Sequence, residues 1–296
     1  MDSISSVLLI DKPTGVTSFS SLSPIKREID KKVGHGGTLD KFAHGLMIVL
    51  TGRMTKLNSI FSSLDKTYVA TFEFGKITDT LDPEGEVIQT KPVPTLQEIE
   101  RAIKTQFIGP ISQVPPSYSA IHVNGKRAYE LVRQGKEVPL KAREVTIYSI
   151  DIISFHPPLL TLTIHCSKGT YIRSLSRDIA AACNSVAYVT QLERTHIGPY
   201  SLDNSVSAQD KVGLQESVNR TEQLLLQHPL VGTITIDDRA VIPMSHGNLP
   251  KNEYIVDSHI KKETTYAIIY SKDNTMLAVV SLNDEKKIVS SIAILS

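Results

Sequence analysis

Residues Glu144–Asn184 read EVTIYSIDIISFHPPLLTLTIHCSKGTYIRSLSRDIAAACN. Two runs rich in Val, Ile, Thr and Leu flank His156-Pro157-Pro158, which is the pattern of two strands joined by a turn. Ser167-Lys168-Gly169-Thr170 closes the second run. From Tyr171 the apolar residues recur at helical spacing. Strand, turn, strand, helix in direct succession suits an antiparallel pair leading into a helix. The rest of the chain agrees. SSVLLIDKP reads as a buried strand, Tyr68–Phe74 alternates as a strand, and GLMIVLTG is either a buried strand or a helix start. The segment PTLQEIERAIKTQFIG reads as a helix, with Thr95 as cap, Glu98 at capping-box distance and Gly109-Pro110 as stop. Thr17–Ser20 offers a cap for a helix over LSPIKREIDKK. No regular alternation of strand and helix appears, so the fold class expected is α+β with a mixed, mostly antiparallel sheet.

Beyond about residue 230 the texture changes. ITIDDRAVIP, YIVDSHI, TTYAIIYSK, TMLAVVSL and KIVSSIAIL are short β-type runs with turns between them. They predict a second, small, β-barrel-like unit over residues 231–296, after a larger unit over 1–230.

The chain has 296 residues, 41% hydrophobic and 21% charged, with a net charge of +1. That composition suits a folded protein with its own core. The charge is uneven, however. Residues 1–60 carry eight Lys/Arg against five Asp/Glu, and residues 118–177 carry nine against four. If those blocks meet, they form a basic face on a nearly neutral protein. Two cysteines make neither a disulfide framework nor a zinc site. No apolar run approaches the ~18 residues of a membrane span, and the N-terminus lacks a cationic leader. The expectation is a soluble, cytoplasmic protein. There is no P-loop, G-x-G-x-x-G, H-E-x-x-H or G-x-S-x-G. S-x-x-K at Ser23–Lys26 and Ser63–Lys66 lacks its partner motifs.

Several segments are dense in chemistry. Gly34-His35-Gly36-Gly37-Thr38-Leu39-Asp40 is a tight glycine-rich loop that ends in a carboxylate at the edge of an apolar run. Asp40 there suits a nucleophile, a base, a metal ligand or a helix cap. Arg173, in a first helical turn, opposes the helix dipole unless an anion accompanies it. A structural carboxylate, a phosphate or a catalytic Asp would serve. His165 and Cys166 are neighbours on a strand and point to opposite faces, which disfavours a joint site. Thr78–Gly85 reads as an acidic turn with Asx-type bonds. From Tyr118 to Lys136, tyrosines interleave with Lys126, Arg127, Arg133 and Lys136, a pattern that suits either RNA or a solvated helix.

In order, these segments resemble the TruB family of tRNA pseudouridine synthases, which modify uridine 55 in the T-loop. L-L-I-D-K-P-x-G at 8–15, G-H-G-G-T-L-D at 34–40, D-K-T-Y at 65–68, T-D-T-x-D-x-x-G at 78–85, P-P-x-Y-S-A at 115–120 and H-C-S-K-G-T-Y-I-R at 165–173 carry the resemblance. It implies a pseudouridine-synthase catalytic domain and a PUA-like C-terminal domain that contacts the acceptor stem. Asp40 becomes the catalytic aspartate, Tyr68 the aromatic stacked on the target base, and Arg173 the partner of the aspartate. Leu192 lines the uracil pocket. His35 fills the space left by the flipped nucleotide. Lys12, with Pro13, supports the site wall, and Tyr171 packs beneath it. Lys126, Arg127 and Lys168, with the Lys261-Lys262 pair, become RNA contacts. The resemblance implies tRNA as partner, no cofactor, no metal, no guide RNA and a monomer. The reading from another class is an RNA-binding or tRNA-folding protein without turnover.

Overall fold

The computed structural model describes residues 3–119, 122–123, 126–127 and 140–294, with 122–123 and 126–127 as backbone only. A ten-stranded sheet dominates. Its main path runs in the order 206–207, 7–12, 44–51, 187–197, 66–74, 159–166, 143–156, 109–113. Strand 187–197 runs parallel to 44–51, and 7–12 parallel to 206–207, while the other neighbours on the path are antiparallel. The mixed, mostly antiparallel sheet is the expected one.

The deciding stretch folds as its pattern requires. Strands Arg143–His156 and Leu159–Cys166 pair antiparallel, and helix Ile172–Ala182 follows. That helix buries Ile172, Leu175, Ile179 and Ala180 against Tyr68, Phe72, Leu162, Ile164 and Leu192 of the sheet. Each large aliphatic side chain so buried contributes roughly 1.5–3 kcal/mol. His165 is exposed and Cys166 is buried, so the two do face opposite ways. Burial pushes the Cys166 thiol up to about 12, which makes it inert. GLMIVLTG resolves as a strand, His44–Thr51, buried on both faces. The same holds for Val7–Lys12, where Val7 and Leu9 join one core cluster and Leu8 and Ile10 join another. Helix Leu96–Gln106 carries the full Thr95/Glu98 capping box. The helix at 23 is shorter than its pattern, ending at Glu28, and Thr17 caps the 3-10 turn before it through a bond from the Ser20 amide at 3.0 Å.

The C-terminal sheet has five strands in the order 255–259, 231–236, 266–270, 276–282, 288–294. One expectation there needs correction. ITIDDRAVIP is only half strand: Val231–Ile236 pairs in the sheet, and Asp238–Ser245 is a helix. The Asp237 side chain caps that helix by accepting from the Arg239 amide, and Ala240 and Met244 supply its buried face. The β-branched residues around this segment concealed a cap followed by helical spacing. Ile268, Tyr270 and Val279 of the second sheet share a core with Val7 and Leu9 of the first and with Phe61 of the helix Asn58–Ser62.

Candidate active site

Asp40 lies on the loop between the short strand Val33–His35 and strand His44–Thr51. The loop is pinned from several directions. The Ser18 hydroxyl donates to the Leu39 carbonyl at 2.8 Å and accepts from the Leu39 amide at 2.9 Å. The Gly15 amide bonds the Lys41 carbonyl at 2.8 Å. Gly45, at φ +109°, lies so close to the neighbouring strand that a Cβ would sit 2.5 Å from the Arg194 carbonyl oxygen. Gly45→Ala adds both an unfavourable φ and a backbone clash. Expected is a loss of about 2 kcal/mol or more, read as a lowered urea midpoint. An unchanged midpoint would show that the strands part without cost.

Arg173, the second residue of its helix, resolves its awkward position by meeting two carboxylates. Its Nε lies 2.9 Å from Asp40 Oδ2, an ion-pair contact, and its Nη2 donates to Asp40 Oδ1 at 3.1 Å. Nη1 donates to Asp82 Oδ2 at 3.1 Å and to the Thr80 carbonyl at 2.9 Å, and Nη2 also reaches the Tyr118 carbonyl at 2.9 Å. The guanidinium is 5% exposed, Asp82 8% and Asp40 33%, so the open end of the network is Asp40. Burial pushes the Asp82 carboxyl above its ordinary range, and the Thr80 hydroxyl and Arg173 pull it back.

Asp82 was expected only as part of a turn. The turn is there: Asp82 Oδ1 accepts from the Thr80 hydroxyl at 2.6 Å and from the Glu84 amide at 3.0 Å. Its other oxygen, bonded to a residue 91 positions away, had no local signal.

Two cavities meet at this ion pair. The first, about 340 Å³, is lined by Asp40, Lys66, Tyr68, Tyr171, Leu192 and Arg194 among others. It places one carboxylate opposite Lys66, Arg143, Arg173 and Arg194. Of the two basic sequence blocks, only 118–177 brings cations here, as Arg143 and Arg173. Block 1–60 supplies Asp40 and its loop, and Lys66 and Arg194 come from outside both. Burial raises the Tyr68 phenol, and the neighbouring Arg194 guanidinium acts against that. Tyr171 is half-buried, with the Arg143 guanidinium 4.5 Å above its ring. Gln113 holds the Tyr171 backbone at both ends, its amide oxygen accepting at 2.8 Å and its nitrogen donating at 3.1 Å.

The second cavity, about 820 Å³, is lined by His35, Asp40, Lys41, Asp82, Glu84 and Arg173, with Phe19 and Tyr118 beside them. It is acidic where the first is basic. His35 lines only this one. Burial lowers its pKa, and its Nδ1 has no hydrogen-bond partner among the described residues. Lys41 is paired with Glu84 at 2.7 Å.

Some expected contacts sit elsewhere. Lys12 is wholly buried and lines neither cavity. Its ammonium donates to the carbonyls of Pro13 at 2.9 Å and Val16 at 2.7 Å. It is a strut for the loop below Asp40. Burial, partly offset by Asp40, pulls it down to about 8. Lys168 is exposed on the Ser167–Thr170 turn, whose other residues line the first cavity. The backbones of Lys126 and Arg127 pair with His122–Val123. Their side chains, and most of the tyrosine-rich segment 120–139, lie outside the described residues. Lys261 and Lys262 are exposed at the turn before strand Tyr266–Tyr270.

Lys66 and Arg194 were not expected at the site. Alternation could have found both, because Lys66 is two residues from Tyr68 and Arg194 two from Leu192.

A buried guanidinium bridging a loop aspartate, beside a tyrosine and an apolar wall, on a mixed sheet with a second β-rich unit, is the architecture of a pseudouridine synthase. The fold comparison agrees: a chain of a Cbf5-Nop10-Gar1 complex superposes with a TM-score of 0.69 at 23% identity, covering 98% of this chain and 84% of that one. Residues 26–172 match the model of the TruB family pseudouridylate synthase N-terminal domain. The tRNA pseudouridine synthase B of Borreliella burgdorferi (strain ZS7) is 41% identical over 95% of this chain and 98% of its own length. That of Saccharophagus degradans is 35% identical over 95% and 93%. The chain belongs to the TruB family of pseudouridine synthases.

Proposed function

We propose that this protein converts uridine 55 in the T-loop of tRNA to pseudouridine, as a stand-alone cytoplasmic monomer without a guide RNA. The observation that carries the reading is the Asp40–Arg173 pair at the mouth of a cavity walled by Tyr68 and Leu192. No described helix is long and apolar enough to cross a membrane.

The reaction needs the target base outside the RNA stack, at a cost of a few kcal/mol. In this reading the uracil enters the first cavity, where Tyr68 stacks on it and Leu192 covers its edge. His35, on the other side of Asp40, takes the space the nucleotide leaves. Arg173 aligns Asp40 on the ribose, where the carboxylate acts at C1′ or takes the proton of C2′. The N1–C1′ bond breaks, the base turns, C5 bonds to C1′, the C5 proton leaves and N1 takes up a proton in its place. Bond making balances bond breaking without any redox change. Residues 1–230 form the catalytic domain, and residues 231–296, with Lys261 and Lys262 exposed, lie along the acceptor stem.

Tritium release from C5-labelled tRNA transcript tests this. Expected is release from the native transcript and none when cytidine replaces uridine 55. Binding should weaken steeply with salt, because phosphate contacts dominate RNA affinity. Tight binding with no release would favour the folding helper, the second reading that a basic cavity permits.

A further inference from the structure

Two cations on the floor of the first cavity have no task in the reaction as described. Strands 66–74 and 187–197 pair with Tyr68 opposite Arg194 and Ala70 opposite Leu192. Side chains alternate across a sheet, so Lys66, Tyr68, Leu192 and Arg194 share one face. All four line the cavity. Lys66 is 7% exposed and Arg194 1%.

Neither cation makes an ion pair among the described residues. The Lys66 ammonium donates to the carbonyls of Ser62, at 2.7 Å, and Leu64. Arg194 donates to the carbonyls of Leu46 at 2.8 Å, Gly37 at 3.3 Å and Thr38 at 3.5 Å. An ammonium has three donors and a guanidinium five, so both keep donors unspent. Carbonyls compensate a buried cation poorly, and two such cations also repel each other. Burial, and after it Arg194, pull Lys66 down to about 8. A structural role alone would be served more cheaply by an apolar side chain.

We propose that Lys66 and Arg194 form an anion-stabilising floor that carries the negative charge of the uracil ring while it is detached from the ribose. The proposal rests on the isomerase reading. Charge accounting leads to it. When the N1–C1′ bond breaks heterolytically, its electron pair stays on the base, which becomes an anion spread over N1, O2 and O4. Asp40 loses its charge in the same step, either by bonding C1′ or by taking the C2′ proton. The single negative charge thus moves from the Arg173 wall to the ring. It returns when C5 bonds C1′: Asp40 is released, or gives its proton back to C2′, and the C5 proton is replaced by one at N1. Arg173 serves the start and end of that path. The floor cations serve its middle, as fixed positive charge placed where negative charge develops.

Single-turnover tritium release tests it on RNA carrying either uridine or 4-thiouridine at the target, the latter giving a more stable ring anion. Lys66→Met should slow release from uridine about a hundredfold, with RNA affinity within about threefold. On 4-thiouridine the deficit should shrink by about tenfold, because the ring holds its own charge better. Lys66→Arg should recover most of the rate, and Arg194→Lys should follow the same substrate dependence. If Lys66→Met does not fold, Lys66→Gln, which keeps a donor for the two carbonyls, carries the same comparison. Equal deficits on both substrates, an unchanged rate, or a loss confined to RNA affinity would each overturn the proposal. A wild type that releases nothing from uridine would instead remove the isomerase reading.

Discussion

Asp40→Asn is expected to abolish pseudouridine formation, by a factor on the order of 10⁴ or more, and to leave tRNA binding within about threefold of wild type. The two halves of this expectation have separate physical origins. Asn has the shape of Asp but neither the nucleophilicity nor the basicity, so neither addition at C1′ nor proton removal at C2′ proceeds. The fold tolerates the change because Arg173 keeps Asp82, the Thr80 carbonyl and the Tyr118 carbonyl as partners. Asp40 is also the more exposed carboxylate of the network, at 33% against 8% for Asp82. Its neutralisation therefore leaves no buried anion behind. Single-turnover tritium release and a filter-binding titration at fixed salt measure the two halves. Residual release within tenfold of wild type would remove Asp40 from the chemistry. Loss of binding in parallel with rate would make it an RNA contact.

The expectation for Asp40 was legible in the sequence because its signal is local. Three glycines and an aspartate within seven residues mark a constrained loop, and the order of six short motifs marked the family. Tyr68 opened a strand whose alternation is plain, but its role and that of Leu192 came only from the family resemblance. What escaped was whatever depends on a partner distant in sequence. The Thr78–Gly85 segment predicts its own Asx bonds, and they form, yet nothing in it announces Arg173. Lys12 was placed as a support of the site wall by resemblance alone, and nothing local in the sequence showed what its ammonium would bond. Here the carbonyls of Pro13 and Val16 fold back over its ammonium. Lys66 and Arg194 are charged residues on buried positions of an alternating strand, where the pattern asks for apolar ones. Such an exception to the pattern was the available sign of function. Reading it required the cross-strand register, which pairs Tyr68 with Arg194. The helix at Asp238 failed in the opposite sense: β-branched neighbours outweighed an Asp cap in the sequence but not in the folded unit.

Arg173→Met should lose both rate and stability, and the stability loss should depend on pH in a stated direction. The rate falls because Asp40 loses its aligning partner, and a fall on the order of 10²–10³-fold is expected for removal of one preorganised charge. Stability falls because Asp82, 8% exposed, is left as a buried carboxylate without its cation. Breaking one side of a buried pair costs about 3–5 kcal/mol. Burial already raises the Asp82 carboxyl, and Arg173 is among the groups opposing that rise. With the arginine gone, Asp82 in the folded protein takes up a proton at a higher pH than in the unfolded chain. The folded state then binds more protons, so its stability decreases as pH rises and recovers as pH falls. The gap between variant and wild type should accordingly narrow on acidification from pH 7 in urea titrations, because the protonated acid needs no cation. Asp82→Asn in the same background should close most of the gap at pH 7, since a neutral amide has no charge to leave uncompensated. A gap that widens on acidification, or a double variant no more stable than Arg173→Met, would mean that Arg173 stabilises the fold through its carbonyl bonds to Thr80 and Tyr118. Asp82 would then belong to the turn alone.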